Sequence, residues 1–192
     1  MRVPRSLTLG VVGVLLAGCA GATPPSPAVL EPPPLREPLD RPADRRLLPF
    51  LGSWVVRGTV YPEAGGEPRR YSGTARFVPA SDGRSLRERL TLERFRAETV
   101  LGFSRDRGRY ELAQIDNATG GQVWMVGLWS ADGRTLELQP AESGQLKGLG
   151  FDAMRWTYAF DDEGRLVKTI RVRDDAGLWR TQSTYVYERD RG

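Results

Sequence analysis

Met154-Arg155-Trp156-Thr157-Tyr158-Ala159-Phe160 runs into Asp161-Asp162-Glu163-Gly164, and the chain returns as Arg165-Leu166-Val167-Lys168-Thr169-Ile170-Arg171-Val172. In the outward run Met154, Trp156, Tyr158 and Phe160 oppose Arg155 and Thr157. That period of two sends alternate side chains to opposite faces of a strand. On the return Leu166, Lys168, Ile170 and Val172 share one face. Between the runs, glycine supplies the positive φ that a tight hairpin demands. The stretch is a β-hairpin with an apolar face and a polar face.

The same grammar extends over residues 47–192. Strands are expected near 53–61, 70–79, 85–93, 97–105, 109–116, 122–130, 134–139, 154–161, 165–173 and 179–188. Their turns carry Asp82-Gly83, Asp106-Arg107-Gly108, Gly120-Gly121, Asp132-Gly133, Asp162-Glu163-Gly164 and Asp175-Ala176-Gly177. Leu86, Leu90 and Leu92 share a face, with Arg87, Arg89 and Glu93 on the other. One face in and one out among antiparallel neighbours means a sandwich or a closed barrel. Ten hairpin-linked strands favour a single up-and-down antiparallel β-barrel, an all-β fold, because closure removes exposed edges. A barrel of about eight strands just holds its own side chains or one small ligand, so ten leave room for a cavity. The one helical candidate is a single turn around Asp44 to Leu51, broken by Pro49.

The N-terminus is of another kind. Arg2 and Arg5 precede an apolar run from Leu7 to Leu16, and Leu16-Ala17-Gly18-Cys19 follows with the only cysteine of the 192 residues. A charged start, a short apolar core and small residues before a cut site make a secretory signal; the run is too short for the ~20 residues of a spanning helix. Leu-Ala-Gly-Cys resembles the lipobox of bacterial lipoproteins. The resemblance implies that residues 1–18 are removed and that Cys19 is acylated on sulfur and amino group. Ala20 follows, without the aspartate that in enteric bacteria retains lipoproteins at the inner membrane, so outer-membrane attachment facing the periplasm is expected. Residues 19–46 hold eight of the 14 prolines. Proline fixes φ and removes donors, so the stretch reads as a semi-rigid tether of ~3.1 Å per residue. The expected organisation is leader 1–18, lipidated tether 19–46 and barrel domain 47–192.

Composition narrows the chemistry. Removing Arg2 and Arg5 leaves 26 basic residues against 24 acidic ones. That near-neutral mixture is not a nucleic-acid footprint. With no histidine, a Ser-His-Asp triad and histidine-ligated zinc or haem are excluded. With Cys19 spent on lipid there is no disulfide and no thiolate nucleophile. No cofactor and no metal are expected; Asp161-Asp162-Glu163-Gly164 lacks the alternating acids and distal glutamate of a calcium loop.

Leu48-Pro49-Phe50-Leu51-Gly52-Ser53-Trp54 puts a turn, a glycine and a tryptophan at the start of the first strand. It is followed by Gly58-Thr59-Val60-Tyr61-Pro62, Tyr71-Ser72-Gly73-Thr74-Ala75-Arg76-Phe77, Gly83-Arg84-Ser85-Leu86-Arg87-Glu88-Arg89, Gly102-Phe103, Gln114-Ile115-Asp116 and the closing Tyr185-Val186-Tyr187. The series resembles a bacterial family of uncharacterised lipocalin-like (calycin-type) domains. The resemblance implies a barrel whose floor is plugged by Gly52 and Trp54, and it implies no common activity. Many relatives have an aromatic residue where Gln114 stands, which makes that wall position more polar here.

Several side chains are candidates for a cavity. Glu88 shares the face of Leu86, Leu90 and Leu92, so alternation places a carboxylate inside, where it must be paired or neutralised. It is either a ligand anchor or the partner of an inward base. Gln114 and Asp116 share a face with Tyr110 and Leu112 and either orient a ligand or, for Asp116, serve the turn that follows. Lys168 is a candidate counter-ion for Glu88 or a snorkelling edge lysine. Trp124, Met125, Trp129, Trp156, Tyr158 and Trp179 line a pocket or simply pack the core. Three functions fit: a membrane-anchored envelope module binding a small hydrophobic or amphipathic ligand; a structural accessory with a filled barrel and an envelope protein partner; or an enzyme using Glu88 with Asp116 or a tyrosine as acid and base.

Overall fold

The structure is a computed structural model describing residues 45–62, 66–80, 83–142, 146, 151–174 and 176–191. The leader, Cys19, the tether up to residue 44, Asp82, Lys147 and Asp175 lie outside the described residues. Ten strands follow one another: β1 (Gly52–Val60), β2 (Arg69–Pro79), β3 (Ser85–Leu92), β4 (Phe95–Ser104), β5 (Arg109–Asp116), β6 (Gln122–Trp129), β7 (Thr135–Pro140), β8 (Ala153–Phe160), β9 (Leu166–Arg173) and β10 (Trp179–Arg189). Each pairs antiparallel with its sequence neighbours, and β10 returns to β1, from Trp54 opposite Arg189 to Val60 opposite Ser183. The barrel is closed, which leaves neither β1 nor β10 as a free edge.

Alternation sets what lies inside. Trp54 and Val56, Ala75 and Phe77, Leu136 and Leu138, and Trp156 and Tyr158 are buried, and the residues between them face out. Between Thr181 and Ser183 the pairing of β10 with β9 shifts register. This bulge delivers Ser183, Tyr185 and Tyr187 opposite the inward residues Ile170, Lys168 and Leu166. At two places the walls come so close that only glycine fits: a Cβ on Gly73 would lie 1.9 Å from the Thr91 carbonyl oxygen, and one on Gly127 1.8 Å from that of Glu137.

The two ends differ. Antiparallel order puts the start of β1 and the end of β10 at one end, so the chain enters the barrel there. A 3-10 turn at Leu48–Phe50 sits just before β1. Pro49, expected to break a helical turn, instead falls in its first positions, where no N–H is needed. The opposite end carries the β1–β2, β3–β4, β5–β6, β7–β8 and β9–β10 connections. There the Glu93-Arg94 turn lacks glycine, and Glu93 adopts φ 49°. Asn117 from the next turn holds it: its amide donates to Arg94 O at 2.8 Å, and its Oδ1 accepts from Arg96 N at 2.8 Å.

Candidate functional site

The floor is built from rings. Phe50 meets Phe160 at 5.4 Å, Phe77 at 5.7 Å, Tyr158 at 5.9 Å and Trp129 at 6.5 Å between centroids. Offset and edge-on contacts of this kind add to area burial. Trp54 donates from Nε1 to Phe50 O at 2.8 Å, tying strand to turn. Arg189, from the last strand, lays its guanidinium 4.0 Å from the Trp54 ring centre. It also donates to Leu51 O and, at 2.6 Å, to Pro49 O. Gly52 and Trp54 thus stand at the end where the 3-10 turn packs under the strands. Arg189 completes it, although at a strand end it reads as an ordinary solvated charge.

Above the floor the interior turns polar. Glu88 (β3), Thr99 (β4), Gln114 (β5), Lys168 (β9) and Ser183 (β10) are all buried, Glu88 and Lys168 to 2% exposure. The Tyr187 hydroxyl donates to Glu88 Oε1 at 2.8 Å, while Glu88 Oε2 has no hydrogen-bond partner among the described residues. Lys168 donates from Nζ to Gln114 Oε1 at 3.2 Å, and Thr99 donates to the same oxygen at 3.3 Å. Gln114 in turn donates to Asp116 Oδ2 at 3.4 Å. The Lys168 ammonium lies 4.1 Å from the Trp156 ring centre, 5.3 Å from Tyr158 and 5.9 Å from Tyr185. Glu88 and Tyr187, like Gln114 and Lys168, belong to strands that are not neighbours in the barrel order. Their bonds therefore cross the lumen.

These positions answer the alternatives left by alternation. Lys168 does not snorkel; it is enclosed by rings and an amide. Its bond is to Gln114, not to Glu88, whose partner is Tyr187. Asp116 serves the turn, its Oδ1 accepting from Ala118 N and Thr119 N at 3.0 and 2.8 Å, while its Oδ2 accepts from Gln114. Trp156 and Tyr158 line the polar cluster. Trp124 does not. It is 43% exposed on the outer wall, and its neighbour Met125 is the buried one. Trp179 is outside too, under the Arg155 guanidinium at 5.0 Å. Residues 122–129 are apolar on both faces, so periodicity there leaves the inward face undecided. The outer wall also carries exposed Val100, Ile115 and Leu128, and a surface groove of about 630 Å³ lined by Arg107, Val126, Leu128 and Glu137.

Burial shifts the titration of Lys168 and of the tyrosines around it. Removal from water pushes the Lys168 ammonium below its usual range, opposed by the nearby charges of Glu88 and Asp116. The Tyr158 and Tyr187 hydroxyls are pushed well above theirs, by burial first and by the Glu88 charge second. Tyr185 is raised for the same leading reason. The unfolded chain releases tyrosine protons near pH 10, whereas the folded chain keeps them. Stability supplied by these tyrosines is therefore present below pH 10 and lost above it. Melting temperature is expected to fall steeply above pH 10. In an absorbance titration, Tyr158 and Tyr187, two of six tyrosines, should ionise only as the barrel opens. Tyr158→Phe should make the decline shallower; an unchanged decline would show that other groups carry it.

A closed ten-stranded up-and-down barrel, floored at one end and holding a buried polar cluster, is the class this geometry defines. Within that class the chain belongs to the family described as "Protein of unknown function (DUF1579)", matched over residues 41–189. Among solved structures it resembles the crystal structure of Rv2717c from M. tuberculosis, with a TM-score of 0.56 and 20% identity over 79% of this chain and 99% of that one. At that identity the likeness speaks to the fold alone. No curated protein matches the chain.

Proposed function

We propose that this protein is a membrane-tethered envelope carrier, anchored through acylated Cys19, whose barrel takes up a small hydrophobic or amphipathic molecule. The observation that carries the proposal is the buried polar cluster. Glu88 and Lys168 lie at 2% exposure in an aromatic barrel, with one carboxylate oxygen lacking a partner among the described residues. A barrel serving only as scaffold gains nothing from burying two charges, since each costs several kcal/mol unless fully paired. A few convergent polar groups in an apolar enclosure are what a small-molecule site requires. β1 starts and β10 ends at the floor, so the polar cluster stands above the end at which the described chain enters the barrel.

A second reading, a filled barrel acting as an envelope accessory, draws on the two side-chain bonds that cross the lumen. One experiment separates them. The full chain and its Cys19→Ala variant are expressed, fractionated, and the purified proteins extracted into organic solvent. The carrier reading expects the wild type in the membrane, the variant released, and a stoichiometric small molecule in both extracts. Unchanged fractionation would refute the anchor. Empty extracts from both would favour the accessory.

A further inference from the structure

Glu88 and Lys168 place opposite charges in one lumen, and each has unused hydrogen-bonding capacity. Glu88 Oε2 lacks a donor among the described residues. Lys168 has three N–H donors, and one is accounted for by Gln114 Oε1. No ion pair joins the two among the described residues. A ligand head group placed between them meets an oxygen that needs a donor and an ammonium with donors to spare.

We infer that the site selects an uncharged head group that donates and accepts at once, the hydroxyl of a fatty alcohol or acylglycerol, over a fatty carboxylate or amine. The inference rests on the carrier reading and specifies its substrate class. A hydroxyl gives its proton to Glu88 Oε2 and accepts from Lys168 Nζ with the same oxygen. A carboxylate has no proton to give, and it adds a third negative charge to Glu88 and Asp116 against one ammonium. An alkylammonium satisfies Glu88 but faces Lys168. Inside a barrel, water does not screen these repulsions as it does at a surface. Discrimination then comes from unpaired polar groups and like charges rather than from the alkyl tail, which every such ligand shares. The flanking rings of Trp156, Tyr158 and Tyr185 suit the first carbons of the chain.

The test uses 1-decanol, decanoate and decylamine at pH 7, below micellar concentration, titrated calorimetrically into the full chain. Decanol is expected to bind at least about tenfold more tightly than either charged probe, since a site with committed hydrogen-bonding groups rejects mismatched ones strongly. Glu88→Gln replaces the carboxylate by a neutral donor–acceptor and should narrow the decanol–decanoate gap by about the same factor. Should that variant not fold, the wild-type ranking decides by itself. Decanoate or decylamine matching decanol would overturn the head-group inference and leave the carrier standing. No binding by any probe would overturn both.

Discussion

Trp54→Ala is expected to lower the unfolding free energy by about 3–5 kcal/mol, the range for deleting a large buried aromatic side chain. Trp54 is 1% exposed, and more than volume is lost with it. Its Nε1 holds the Phe50 carbonyl, its face receives the Arg189 guanidinium, and its edge packs against Tyr187 at 6.5 Å. Removing the indole frees the 3-10 turn from β1 and leaves Arg189 bound to the turn carbonyls alone. Phe50 then loses its seat among Phe77, Tyr158 and Phe160. Urea unfolding, with the slope checked for constancy, measures the change. Leu128→Thr on the outer wall, where Leu128 is 56% exposed, should stay within about 0.5 kcal/mol. A Trp54 effect below about 1 kcal/mol would mean that the floor is not the structural keystone its contacts describe.

Much of this barrel was legible because two local signals agree. Period-two alternation marks the strands, and a glycine at the turn marks each reversal: Gly133 and Gly164 adopt φ 70° and 74° where a hairpin needs them. Legibility fails where one signal is missing. At Glu93-Arg94 no glycine announces the turn, and Asn117 of the β5–β6 turn supplies the missing hydrogen bonds from 23 residues away. In β6 both faces are apolar, so alternation cannot tell that Trp124, expected inside together with Met125, faces out while Met125 is buried.

The candidate cluster divides the same way. Alternation is a property of one strand, so it places Glu88 and Lys168 inward from their neighbours alone. It says nothing of which inward groups meet, because that depends on registers accumulated around the barrel. Tyr187, 99 residues from Glu88, and Gln114, 54 from Lys168, become partners only through closure. Depth is equally a three-dimensional quantity. A lysine near a rim snorkels and one lower down is enclosed, and the strand sequence is the same in both cases. Arg189 illustrates the converse: its position at a strand end suggests solvent, and closure turns it onto Trp54.

The double variant Glu88→Gln/Lys168→Met should be more stable than the wild type by about 1–4 kcal/mol, as replacing buried charges by neutral groups often is. Each single change should be less favourable than the double. Lys168→Met leaves the Glu88 carboxylate buried with the Tyr187 hydroxyl as its one donor among the described residues, and Glu88→Gln leaves the ammonium without the opposite charge that supports it. The sign of the pH dependence follows from Lys168. Burial lowers its folded pKa, so on approaching the ordinary lysine value of 10.5 from below the unfolded chain still binds a proton that the folded one has already released. Wild-type stability therefore carries a rising contribution with pH below 10.5, and Lys168→Met removes it. Denaturant titrations at a series of pH values measure both effects. A double variant less stable than the wild type by more than about 1 kcal/mol would show that the charges hold the barrel together, which is what the accessory reading requires. A stabilised double variant that no longer binds decanol would show instead that the chain keeps two buried charges at the expense of stability, and that their use is recognition of a ligand.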